Sequence, residues 1–307
     1  GTALALTGAV AGEGKLTKAG AGTLALSGAN TYSGGTAVNL GTINVAGTSP
    51  LGTGPVVFSG GSLSANSAAP ATVANALTSL AYVTLDTAQP LTLAGDWTVA
   101  GHLLLTKTGS NEVTVAGALQ PSPGIADRLA LNDGSVRFAA GAAALFTSGT
   151  TRNAIDFSTP SSATVARRLS VEAGASVTAT CLYAGIGATN TVSVSGGSLA
   201  LTGYTGGGYT DAMVGVGGNS TATSVMDRYE VSGGLLYSAD SAWWTMGAYN
   251  SAWSVLDVSG GSASIGQLSL GNRDLTGALA DYNVTDVTVS GGLLEARQRW
   301  NWMADAN

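Results

Sequence analysis

Residues 15–54 read KLTKAGAGTLALSGANTYSGGTAVNLGTINVAGTSPLGTG. Short runs of Leu, Ala, Val and Thr alternate with glycine turns at close, regular spacing. In TLALSG (23–28) Leu24 and Leu26 fall on one face, and in INVAG (43–47) Ile43 and Val45 do the same. A period of two predicts strands with one buried face. The glycines that follow supply the positive-φ turns that redirect the chain. Asn30, Asn39 and Asn44 sit near such turns, where asparagine tolerates the left-handed region or stacks in ladders between rungs. No polar side chains gather here that would do chemistry; the stretch builds backbone, rung upon rung.

The pattern spreads outward as two kinds of repeat. GKLTKAGAGTLALSG (14–28) recurs as LLLTKTGSNEVTVAG (103–117), with Leu16-Thr17-Lys18 matching Leu105-Thr106-Lys107 and Gly20 matching Gly109. Further on, VSGGSL (194–199), VSGGLL (231–236), VSGGSA (258–263) and VSGGLL (289–294) share one motif that FSGGSL (58–63) anticipates. The spacing from Ser195 to Ser232, Ser259 and Ser290 reads as units of two strands and two turns. The stretch 70–83, PATVANALTSLAYV, has room for one short helix, but its Thr, Val and Ala favour strand plus loop. Rungs of ~20–30 residues lie in the period range of solenoids. About 12–14 rungs, stacked ~4.8 Å apart, make a rod ~55–65 Å long. The expected fold is all-β, a right-handed parallel β-helix or β-solenoid built from glycine-rich repeats. The β-sandwich and Greek-key barrel are the competing folds, and the recurrent VSGG units speak against them. The organisation expected is a solenoid over 1–120 carrying two copies of the first repeat, continued over 121–307 by VSGG-type rungs with an aromatic-rich C-terminal end.

Composition narrows the function. Only 10% of the 307 residues are charged, 45 are glycine, and the net charge is −6. Nucleic acid calls for a basic stripe; lysine here is limited to Lys15, Lys18 and Lys107. No run of 18 apolar residues exists to span a membrane as a helix. Cys181 is the sole cysteine, so no intrachain disulfide forms, and a small buried filler is the expected role. The chain opens on Gly1 without a leader pattern and reads as a processed or excerpted piece of a longer secreted protein.

Residues 14–63 closely resemble the passenger-associated transport repeat, also called the autotransporter-associated β-strand repeat. The resemblance rests on Leu16-Thr17-Lys18, Gly20, Gly22-Thr23-Leu24, Leu26-Ser27-Gly28, Asn30-Thr31-Tyr32-Ser33-Gly34-Gly35-Thr36, Val38, Gly41-Thr42-Ile43, Val45 and the turn Leu51-Gly52-Thr53-Gly54. The segment 103–117 lacks the N-T-Y-S-G-G part. The resemblance implies a bacterial protein, extracellular or at the cell surface, with a β-helical stalk. In autotransporters such repeats are proposed to assist passenger folding during secretion. It carries no shared catalytic residues. A translocation barrel would show amphipathic strands with aromatic girdles, and none is legible here.

Sites for chemistry are sparse. His102 is the only histidine, which leaves a triad or a His-rich metal centre almost nothing to use, and a surface place on a strand edge is expected for it. Neither G-x-S-x-G nor the calcium nonapeptide occurs; Asp211, Asp240 and Asp281 remain as scattered loop acids. The glycine runs 206–208 and 215–218 lack a Walker lysine. Asp227 with Glu230, and Asp281 with Asp286, are the acid pairs to test for glycosidase-type chemistry. Aromatics are concentrated late, and Trp243, Trp244, Trp253, Arg297, Arg299, Trp300 and Trp302 are the expected subunit or ligand contacts. Trp243 and Trp244 must point to opposite faces of a strand. The expectation is a non-enzymatic structural protein without cofactor or metal, part of a bacterial surface stalk, sheath or self-assembling fibre. Its partner would be itself, head to tail or laterally. The alternative is an adhesin passenger presenting loops and aromatics to host or matrix glycans.

Overall fold

A computed structural model describes residues 2–101, 103–121, 127–146, 154–157, 166–183, 189–203, 225–240, 242–246, 252–270 and 284–302. They form a β-solenoid. Every strand pair is parallel, and no helix occurs among the described residues. The chain coils through three faces. The first face stacks nine strands, from Ala3–Leu6, Thr23–Leu26 and Thr42–Val45 up to Ile155–Asp156 and Leu182–Tyr183. The second begins with Leu16–Lys18, Thr36–Val38, Val56–Phe58, Leu77–Ser79 and Trp97–Val99 and continues, through twelve strands among the described residues, to the strand Leu293–Trp302. The third starts at Gly47–Thr48 and Ala71–Val73 and ends at Val284–Val289. Twelve strands at ~4.8 Å give a rod about 50 Å long.

The register shows how the rungs grow. Leu16 pairs with Thr36, Thr36 with Val56 and Leu77 with Trp97, so one turn takes 20 or 21 residues there. It takes 33 between Ala144 and Val177 and 37 between Leu199 and Leu236. The stretch 70–83 holds the strands Ala71–Val73 and Leu77–Ser79, as its composition favours, and no helix.

Inward side chains stack in columns along the rod. Leu24, Ile43, Leu63 and Leu85 lie one above another on the first face, and Val38 and Phe58 on the second. Nearly all of these are fully buried. The core is thus a series of like-with-like layers, and burying each such side chain stabilises by roughly 1.5–3 kcal/mol before chain entropy is counted. Phe58 stacks on Trp97, ring centroids 6.1 Å apart, and Trp97 Nε1 donates to Ser79 Oγ at 3.0 Å.

Corners decide where the faces meet. Gly41 has φ +77°, and a Cβ there would come within 2.5 Å of Gly22 O and Lys18 Nζ, so both conformation and close approach require glycine. The VSGG units form a second glycine corner, between the third and second faces. Gly197, Gly234, Gly261 and Gly292 lie on successive rungs, and a Cβ on Gly261 would reach within 2.5 Å of Gly234 O. Around this corner the strands run on unbroken, as Thr189–Leu201, Val225–Ser238 and Ala252–Leu270. The reading of two strands per unit therefore captures only part of the turn. VSGG joins two faces, and through Tyr183 a third closes each rung.

Candidate functional surface

The residues that carry the repeat motif all work at rung contacts. Lys18 stands in an inward column ahead of Val38 and Phe58. Its stem packs in the core while Nζ reaches the corner and donates to Gly20 O at 2.6 Å, Leu40 O at 2.8 Å and Ala19 O at 3.3 Å. Lys107 does the same in the column of Leu85 and Leu131, donating to Gly109 O at 2.6 Å, Thr108 O at 2.7 Å and Asp133 O at 3.2 Å. Leu16-Thr17-Lys18 lies on the second face and Leu105-Thr106-Lys107 on the first, so one local motif serves two corners. Burial pushes the Lys107 ammonium down to about 8, against the pull of Asp133 and Asp86.

Asn30 is equally structural. Its Oδ1 accepts from Val10 N at 2.7 Å and its Nδ2 donates to Pro50 O at 2.6 Å, joining three rungs. The Tyr32 ring is buried and its hydroxyl lies 2.7 Å from Thr36 Oγ1. Asn44 does form a ladder: its Oδ1 accepts from Ser64 Oγ and Asn66 N, and Asn66 in turn donates to Asp86. None of these side chains is left over for a ligand.

Exposed charge concentrates on the third face and is paired along the rod. Arg137 bridges Glu112 at 2.8 Å and Glu172 at 3.2 Å, and Arg228 bridges Glu230 at 2.7 Å and Asp257 at 3.5 Å. Arg168 also reaches Glu230. Sequence reading missed this network, because every pair in it except Arg228–Glu230 joins residues 25 to 62 positions apart.

The expected contact residues divide. Trp243 pairs with Gln267, which pairs with Arg299; Trp244, Leu268 and Trp300 form the next column; Met246, Leu270 and Trp302 the one after. The backbone thus brings Trp243, Trp244, Arg299, Trp300 and Trp302 together over three rungs. Trp253 lies apart on the third face, between Met226 and Val284. Trp244 corrects the expectation: it is 1% exposed and packs edge-on against Tyr229, ring centroids 5.3 Å apart, so it fills core rather than meeting a partner. Arg297 is engaged within the chain. It bridges Asp240 at 2.6 Å, donates to Ser264 Oγ and Ser238 O, and lies over the Tyr237 ring at 4.5 Å.

The acid pair Asp227–Glu230 does not assemble. Asp227 points inward and is 1% exposed, whereas Glu230, three residues on, points outward to Arg228 and Arg168. Cys181 is buried, and its Sγ accepts from Ala154 N. Asp211, Asp281, His102 and the glycine runs 206–208 and 215–218 fall outside the described residues. Among the described residues no group of three His, Cys, Asp or Glu side chains is placed to hold a metal.

Stacked parallel rungs, corner locks of lysine and asparagine, and an outer surface of ladders define an extended β-helical rod. Residues 16–45 match the family model of the passenger-associated-transport-repeat. Over 118 residues, 38% of its length, the chain is 36% identical to the adhesin BmaC autotransporter of Brucella suis biovar 1 (strain 1330). The match spans 3% of that much longer protein. No solved structure matches the chain.

Proposed function

We propose that this chain is part of the passenger of a bacterial adhesin, secreted or displayed at the cell surface, in which the β-helix is the non-enzymatic scaffold of an adhesive rod. The observation that carries the reading is the likeness over 118 residues to an autotransporter adhesin, in a chain whose passenger-type repeat forms part of the same solenoid. The rod would present the segments between its longer rungs, together with the Trp243–Arg299 column and Trp253, to host or matrix glycans. Glycan and matrix arrays probed with the purified chain test this. Binding that falls at least tenfold in Trp243→Ala or Trp253→Ala supports it; an array with no saturable signal contradicts it.

A structural stalk, sheath or self-assembling fibre is the second reading. It is favoured by large apolar side chains exposed on the flank of the rod, where Leu40 is 53%, Leu80 50% and Tyr82 63% exposed. Such side chains would pack laterally against a like chain, which would be the partner. Electron microscopy at low and high concentration separates the two: regular filaments favour the fibre, and isolated rods at every concentration remove it.

A further inference from the structure

The interior of the solenoid turns polar in its C-terminal half. Arg167, Asn190, Asp227 and Ser254 stack in one inward column of the third face, each no more than 1% exposed. Arg167 donates to Phe157 O, and Asn190 Nδ2 donates to Asp227 Oδ1 at 2.7 Å. Two residues further along its strand Asp227 is followed by Tyr229, also buried and close enough to feel the carboxylate; Tyr229 packs against Trp244.

Four buried polar atoms in this cluster have no hydrogen-bond partner among the described residues: Asn190 Oδ1, Asp227 Oδ2, Tyr229 OH and Trp244 Nε1. Leaving such groups dry is expensive, and native interiors satisfy nearly all of them with protein or ordered water. The chemistry of the set is selective. Asn190 Oδ1 and Asp227 Oδ2 are acceptors, Trp244 Nε1 can only donate, and the Tyr229 hydroxyl can donate. A metal ion would leave the indole N–H unpaired, and an anion would face the carboxylate. Water matches, since it donates twice and accepts twice.

We propose that Asn190, Asp227, Tyr229 and Trp244 form an internal hydration site, a polar cavity in the core of the rod holding one water or a short chain of waters. The water would connect the carboxylate on one rung with the aromatic pair beside it, and so complete hydrogen bonding where the apolar columns give out.

A crystal structure of the whole chain at a resolution that shows ordered solvent tests this directly. The expected result is solvent density within hydrogen-bond distance of Asp227 Oδ2 and of at least one of Tyr229 OH and Trp244 Nε1. In parallel, water-oxygen-17 relaxation dispersion should detect long-lived internal water in the native chain and less of it in Tyr229→Phe. Two results overturn the proposal: a dry cavity, or a direct Tyr229–Asp227 hydrogen bond that leaves no space for solvent.

Discussion

Two buried lysines make the clearest case for how single residues hold this rod. Lys107 occupies a place in a leucine column and is tolerated because three carbonyls take its three N–H donors. Lys107→Met should lower stability by roughly 1–3 kcal/mol in denaturant titrations, since those carbonyls lose a partner. The pH dependence has a definite sign. The folded-state value of about 8 lies below the unfolded value of 10.5, so the unfolded chain holds more protons between them. The native chain should therefore gain stability relative to Lys107→Met as pH rises from 8 to 10.5. Asp227 runs the other way. Burial raises it to about 6 from 3.8, despite the Asn190 hydrogen bond and the Arg167 charge. Its contribution is present below 3.8 and lost as pH rises through 6. Asp227→Asn should accordingly be more stable than the native chain at pH 7.5, with the advantage vanishing near pH 4. Gly41→Ala should destabilise by at least ~1–3 kcal/mol from its backbone conformation alone, read as a lower unfolding midpoint.

At the level of strands and corners, stability comes from inward columns and corner locks more than from the outer ion pairs. Arg137 is about a third exposed, as are its partners, so Arg137→Ala should change stability by less than ~1 kcal/mol. Arg297 differs. It reaches back from the last strand, past Ser264, to Tyr237 and Asp240. Arg297→Ala should loosen Leu293–Trp302 and speed its amide exchange several-fold while leaving the exchange of Val56–Phe58 unchanged. Strands were legible from alternation, as in TLAL and TINV, and so were the VSGG corners, whose sequence spacing equals their rung spacing. The third face was harder to read, because a rung of 20 residues leaves it strands of only two or three residues, too short for alternation to declare itself. The two L-T-K segments look like copies of one module, yet lie on different faces: a lysine-carbonyl corner suits any bend with the same local geometry.

For the whole molecule, low charge and repetition pointed to a solenoid, and the passenger-type repeat was readable because its Asn, Tyr and Gly residues each have a fixed rung contact. Surface function was less legible. The late aromatics looked alike in sequence, but Trp244 is core and only neighbouring context decides that. The charge ladder likewise joins residues too distant in sequence to pair by eye. An adhesive rod needs a folded scaffold and a surface held at fixed spacing along it, so adhesion should vanish when the rungs unfold. The most direct measurement is the attachment of beads coated with the folded chain to host cells and matrix, compared with beads carrying the denatured chain. Saturable attachment by the folded chain alone, weakened by Trp243→Ala, is the predicted result. Equal attachment by folded and denatured chains, or none by either, would contradict an adhesive role for this β-helix.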